Sequence, residues 1–439
     1  MSELFDWIKA QEAAGTVDSS GVFTLEKSKA WEKLGAYALP QKHSWALKLV
    51  QSAVSAGGGL RVEQRRSESV FFWTNRCEWT HEQVEQAVLD PEPSADRSLE
   101  HLAVGLRALA RAAALPFAIG YQDGRQAIWT GSGFEIHETS STDVGFRVGV
   151  SHFKVGESTS LFSLKNLAAG KRSAEISRIL TSEAHLMPSH LSIDGREINN
   201  LMDDPVFGAS NLRQPLYLFR VPSHSLVPDL KVKAHFQRRT SWSVEGLPEI
   251  NAADGEAVQT ELPALQEPGM AVVLVSSMLG RTKKGKSYEY HALAKPSQLV
   301  WVSDGVVVGR EDLPLPNGST PMVVVCSAAG LETDLSGLVP RLTEARAERR
   351  DTVMRGVARC LVESDLDAKV QSRVQKLHLG LMAVGGMVFF VNPVAGLALM
   401  GGGGLQYLQS RDQISTIEAA LDLSLVELRD RVTQRWPLS

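Results

Sequence analysis

The chain has 439 residues, 43% of them hydrophobic and 22% charged, and a formal net charge of −4. It is too long for one ordinary domain and has ample apolar residue for a core, so two or three domains are expected. The near-neutral balance excludes a general nucleic-acid binder, which carries a basic excess, though not a local basic patch.

Ser2 to Gln11 predicts a short amphipathic helix with Leu4, Phe5, Trp7 and Ile8 on its apolar face, and no basic segment leads into an apolar one as in a signal peptide. A turn-rich link, Gly15 to Gly21, follows. Ser44 to Ala56 predicts a helix with a broad apolar face, stopped by Gly57, Gly58 and Gly59. Leu60 to Gln64 and Ser69 to Trp73 read as strands, Glu82 to Leu89 as a helix and Asp90 to Ser98 as a loop. Leu99 to Ala113 is a strong Ala- and Leu-rich helix. Phe117 to Tyr121 and Gln126 to Thr130 predict a hairpin turning at Asp123-Gly124, and Val144 to Phe153 a further strand.

From about Glu183 the texture changes. Strands are predicted at Leu191 to Ile198, Pro215 to Val221, Leu230 to Phe236, Ala271 to Ser276, Leu299 to Val302, Gly305 to Val308 and Met322 to Cys326. Asn251 to Pro268 is a polar, acidic loop, and beyond Asp334 the chain is helical to its end. Cys77, Cys326 and Cys360 are scattered, without the clustered spacing of a zinc site or disulfide framework, so free thiols in a reducing cytoplasm are expected.

The order helix, strand, strand, loop, helix, hairpin, strand resembles the Bergerat ATP-binding fold of the GHKL family: gyrases, heat-shock chaperones, histidine kinases and the mismatch-repair protein MutL. The stretch Lys48-Leu49-Val50-Gln51-Ser52-Ala53-Val54-Ser55-Ala56 resembles the family's first-helix motif ELIQNAxDA. In the family the acidic residue activates water and the asparagine holds magnesium; here Lys48 and Ser52 stand there. A protonated ammonium cannot act as a base, and a hydroxyl is a feeble magnesium ligand. Ser55 replaces the family's aspartate. Thr74-Asn75-Arg76-Cys77-Glu78 resembles the DxGxG loop: Asn75 matches, Thr74 replaces the adenine-binding aspartate, and Arg76 and Glu78 replace glycines, so side chains are expected to crowd the ligand. The glycine-rich lid corresponds to Glu100 to Leu106, where Gly105 alone is kept, and the late Gly-Thr pair to Gly145-Phe146.

The resemblance covers about the first third of the chain, with a weaker likeness of Leu191 to Asn199 and Leu299 to Ser336 to the family's transducer domain. It implies an α+β protein: a Bergerat-type α/β sandwich over 1–182, a transducer-like α/β domain over 183–340 and a helical C-terminal module over 341–439. It further implies a vestigial pocket (Ser52, Ser55, Thr74, Asn75, Gly105), no catalytic residue and no cofactor. The expected function is a pseudo-ATPase scaffold or sensor with a protein partner, in a bacterial stress or defence module. Two other readings stay open: a divergent active ATPase using ATP and magnesium, and a membrane effector. Ser44 to Ala56 can also be read as an ordinary amphipathic helix of an unrelated α/β domain.

Other candidates carry less. Arg281, Lys283, Lys284 and Lys286 form a basic loop, read as a solvated turn or as the counterpart of the family's phosphate-reaching lysine. His101, His185, His190 and His291 lack metal-ligand spacing, so no metal site is expected. Ser163, Ser192 and Ser276 lack the GxSxG elbow. Leu377 to Ser410 holds no charged residue and is split by Asn392-Pro393. It reads as a buried hairpin, a membrane-inserting hairpin over 377–410 or a single span, which keeps the expected location cytoplasmic with membrane association open. Ile414, Ile417, Leu421, Leu425, Leu428 and Val432 fall near heptad spacing, and Arg341 to Arg350 reads as a solvated helix face. A homo-oligomer is left open, and no nucleic acid is expected.

Overall fold

The computed structural model describes residues 39–90, 94–131, 133–138, 145–153, 164–199, 212–220, 259–261, 270–284, 287–363 and 419–438. The helix expected at 2–11, the link at 15–21, the strand at 230–236, Ser163, Lys286 and the apolar segment 377–410 lie outside them. Among the described residues no helix is long and apolar enough to cross a membrane.

The chain is α+β. Helix α1 (Trp45–Ser55) precedes strands β1 (Leu60–Gln64) and β2 (Glu68–Trp73), then α2 (His81–Leu89) and α3 (Arg97–Ala108). A π turn at Leu109–Ala113 continues α3 into β3 (Phe117–Gly120), β4 (Arg125–Trp129), β5 (Phe134–Glu138) and β6 (Arg147–Ser151). Helix α4 (Leu164–Glu183) leads to β7 (Leu191–Ile193) and β8 (Arg196–Glu197). These strands form one eight-stranded mixed sheet in the order β5-β4-β3-β6-β2-β1-β7-β8, with β1 parallel to β7 and antiparallel to β2.

Local chemistry accounts for the element ends. Gly57, at φ +75, closes α1 where a glycine is expected. Thr80 and Gln83 cap α2 reciprocally, a capping box, and the Asp96 carboxylate accepts from Ser98 N and Leu99 N to start α3. The expected hairpin at Asp123-Gly124 is present. The single strand expected over 191–198 is instead a hairpin turning at Asp194-Gly195, with both residues at positive φ.

A second sheet has seven strands: β9 (Leu212–Arg220), β10 (Gln259–Glu261), β11 (Met270–Lys284), β12 (Ser287–Ala292), β13 (Gln298–Ser303), β14 (Val306–Asp312) and β15 (Met322–Ser327). Strand β10 lies within the stretch expected to be loop. The expected basic loop is corrected too: Arg281, Lys283 and Lys284 lie in β11, paired with Tyr290, Tyr288 and Ser287 of β12. Helix α5 (Glu344–Glu363) follows, and a last helix, α6, spans 419–435.

One continuous apolar core joins both sheets and all these helices, from Trp45 and Phe71 through Trp301 and Met322 to Leu361 and Leu425. Leu421, Leu425, Leu428 and Val432 are buried, as their spacing implied. Of the stretch read as a solvated face, Arg341, Glu344 and Glu348 are exposed, while Arg346 and Arg349 are only partly so. Arg346 lies over the Trp301 ring and bonds Glu311 and the Pro340 carbonyl, and Arg349 donates to the carbonyls of Ser327 and Ala329.

Candidate functional site

Nine consecutive residues of α1, Trp45 to Ala53, are buried. A helix buried on every side must be apolar all round or must satisfy its polar groups internally. Lys48, 2% exposed, does the second: its Nζ donates to Gln51 Oε1 at 2.8 Å. Gln51 Nε2 in turn donates to the Ser303 carbonyl at 3.1 Å, which ties α1 to the end of β13, 252 positions away. Burial pushes the Lys48 ammonium down to about 8, although Asp304, Asp334 and Glu100 pull it the other way.

The group facing this lysine comes from the second sheet. Strands β13 and β14 are joined by Asp304 and Gly305, at φ +47 and +75, the left-handed pair that a two-residue hairpin turn requires. The tip lies against α1 and α4: a Cβ on Gly305 would come within 2.9 Å of Val54 Cγ2 and 3.1 Å of Met187 Cα. Asp304 Oδ2 accepts from Arg97 Nη2 at 2.6 Å and from His101 Nε2 at 3.0 Å, both on α3. Burial alone would raise the Asp304 carboxyl, but the bond from His101 and the charge of Arg97 outweigh it and hold it below the usual value. Burial, reinforced by the charges of Lys48 and Arg97, holds His101 below its ordinary value despite the bond to Asp304. At neutral pH the cluster is an ionised aspartate between a guanidinium and a neutral imidazole, with the Lys48 ammonium nearby.

The remaining residues singled out from the sequence are used for packing. Ser52 is fully buried, and the Oγ atoms of Ser52 and Ser55 have no hydrogen-bond partner. Thr74 Oγ1 accepts from Gly59 N at 2.7 Å, and Asn75 Nδ2 donates to the Ala56 carbonyl at 2.8 Å, so both brace the end of α1. A Cβ on Gly58 would overlap the Asn75 side chain. Gly105 is in no loop; it lies in mid-α3, where a Cβ would stand 3.1 Å from Lys48 Cβ and 3.2 Å from the Trp45 carbonyl. Its missing side chain allows α3 to cross close over α1.

Arg76 and Glu78 do not crowd an interior. Both are exposed, 3.8 Å apart, and Arg76 Nε donates to Gln122 Oε1. The interior is filled by Phe146 instead. It is fully buried, with the rings of Trp73, Trp79 and Tyr121 edge-on to it at 5.0, 4.9 and 5.8 Å.

Ser192 Oγ lies 3.1 Å from His190 Nε2, with Glu197 3.8 Å from His190 Nδ1, but Ser192 is buried and no substrate carbonyl can reach it. Among the described residues no group of His, Cys, Asp and Glu is arranged to hold a metal, and Cys77, Cys326 and Cys360 are free and buried. Lys48 and Gly105 are brought together; Thr74 and Asn75 meet Gly59 and Ala56 at the far end of α1. Sequence reasoning missed Asp304 and Gln51. The Asp304-Gly305 pair between two β-prone runs signals the turn, but nothing local signals its partner. The chain matches no family model and no curated protein sequence.

Proposed function

We infer that this protein is a catalytically inactive GHKL-like pseudo-ATPase whose nucleotide-binding half has become a packed scaffold or sensor. The reading rests on one observation: Lys48 and Ser52, at the positions of the family's catalytic base and magnesium ligand, are 2% and 0% exposed. They are sealed beneath α3 and the β13–β14 tip, and water, magnesium and a terminal phosphate need that space. The charge pattern is also reversed. Where the family has an acid on the first helix and a lysine from the transducer, this chain has Lys48 on α1 and Asp304 from the second sheet. Phe146, which stands at the counterpart of the Gly-Thr pair, is packed among Trp73, Trp79 and Tyr121. The Bergerat-type sandwich, the transducer-like second unit and a protein partner belong to this same reading.

Calorimetry with ATP and magnesium tests it. Binding no tighter than about millimolar, worth roughly 4 kcal/mol, is expected. Micromolar binding that requires magnesium would overturn it.

A further inference from the structure

Outside the α1 region, a cleft of about 550 Å³ opens between α5 and the end of α6. Its walls carry Arg350 and Arg355 from α5 and Arg435 from α6, with Pro314 and the largely buried Trp436 as an apolar floor. Asp351 is the one carboxylate lining it, and that group is already engaged: it accepts from Arg350 Nε at 3.2 Å and from Trp436 Nε1 at 3.4 Å. Among the described residues no carboxylate pairs with Arg355 or Arg435. Arg355 bonds the Thr352 hydroxyl at 3.1 Å and is otherwise turned outward. Three guanidinium groups against one shared carboxylate leave a surplus of positive charge in a concave site, within a chain of net charge −4.

We propose that this cleft binds a small phosphate-bearing anion with at least two phosphoryl groups. Guanidinium forks match phosphate oxygens two at a time, and two forks on separate helices with no carboxylate partner among the described residues suit two linked phosphates better than one. The volume lies in the range of small-molecule sites and exceeds what one inorganic phosphate fills. The indole N–H donates to Asp351 and its ring is packed, so recognition runs through the phosphates and not through stacking. The site joins α5 to α6, so occupation would brace the two helices against each other.

The test is calorimetric titration of the full chain with sodium pyrophosphate at about 50 mM salt, where charge pairing is least screened. Sodium chloride of equal ionic strength is the control. Saturable binding is expected, weakened about tenfold or more in an Arg355→Ala, Arg435→Ala double variant, whose changed side chains are exposed. The Arg355→Lys, Arg435→Lys variant keeps the charge but loses the forks and should fall between. A nucleoside triphosphate binding as tightly as pyrophosphate would show that phosphates alone are read, and tighter binding that the alanine variant also loses would place its base in the same cleft. Absence of pyrophosphate binding, or affinity unchanged in the alanine variant, overturns the proposal. So does binding of a single-stranded oligonucleotide without binding of pyrophosphate, which would make this a nucleic-acid surface.

Discussion

His101 on α3 donates to Asp304 at the β13–β14 tip, Nε2 to Oδ2 3.0 Å, across 203 positions of sequence. The two sheets are thus fastened at the point where the first-helix motif carries Lys48. Each partner is costly to bury alone, so changes at this point should reveal what the cluster does.

Reversing the charge at Lys48 should be worse than removing it. Lys48→Glu would set a carboxylate near Asp304, Asp334 and Glu100, and leaving a buried charge uncompensated costs about 3–5 kcal/mol. Lys48→Met keeps the volume and removes the charge but leaves the buried Gln51 Oε1 without its donor, so it should cost about 1–3 kcal/mol, less than Lys48→Glu. Adding Asp304→Asn to Lys48→Glu removes one facing carboxylate, keeps an oxygen for Arg97 and His101 and tolerates the positive φ, so it should recover part of the loss. Urea unfolding of the three variants checks this, and a Lys48→Glu protein as stable as the parent would show that the field at Lys48 is not what the cluster implies.

Acid should loosen the fold earlier than carboxylate titration alone would. His43, His101 and His152 are all held below their ordinary value, each chiefly by burial. The unfolded chain therefore takes up protons near pH 6.5 that the folded chain refuses, so stability is full above that pH and falls as pH drops below it. Thermal unfolding between pH 7.5 and 5.5, on the order of one unit either side of the histidine value, should show Tm falling. His101→Gln should flatten that slope in part. A Tm that rises toward pH 5.5 would contradict the assignment of neutral buried imidazoles.

Gly105 is a crossing point between helices. Gly105→Val would press methyl groups onto Lys48 Cβ and the Trp45 carbonyl, which as backbone cannot step aside. Overpacking of this kind costs about 1–3 kcal/mol and outweighs the gain in helix propensity. Chemical denaturation measures it, and a stabilised variant would mean that α1 and α3 can separate freely.

Installing the residues of the resembled motifs should not create turnover. In a Lys48→Glu, Ser52→Asn, Thr74→Asp variant, Phe146 still fills the interior, and Glu100 to Leu106 is still helix and not a glycine-rich loop. Phosphate release at background level is expected. Turnover by this triple variant would show that the aromatic filling and the helical segment are no obstacle.

Much of the fold was legible because local signals agreed. The apolar faces of α1 and α3, the glycines after Ala56 and the Asp123-Gly124 turn each point one way, and the helix and hairpin boundaries fall within a few residues of those expected. Helix α4 was missed because it is weakly amphipathic: Ile176, Ile179 and Leu180 face the core, but Gly170 and scattered polar residues blur the period. Strand β5 was missed because it is an edge strand, with Glu135, Ile136, His137 and Glu138 all exposed, so no alternation marks it. At the site, a lysine where the resembled motif has an acid was visible, but the burial of Lys48 was not, since it depends on a hairpin more than 250 positions away. Arg76 and Glu78 were expected inside because the motif comparison gives position along the chain and not side-chain direction.

Phosphate release from ATP and magnesium by the protein beside its Lys48→Ala variant decides whether the chain is a pseudo-ATPase. Release indistinguishable from the protein-free background is expected for both, because a sealed ammonium and a buried hydroxyl can neither activate water nor hold magnesium. Turnover above background in the parent that disappears in Lys48→Ala would contradict it and make Lys48 part of a working active site.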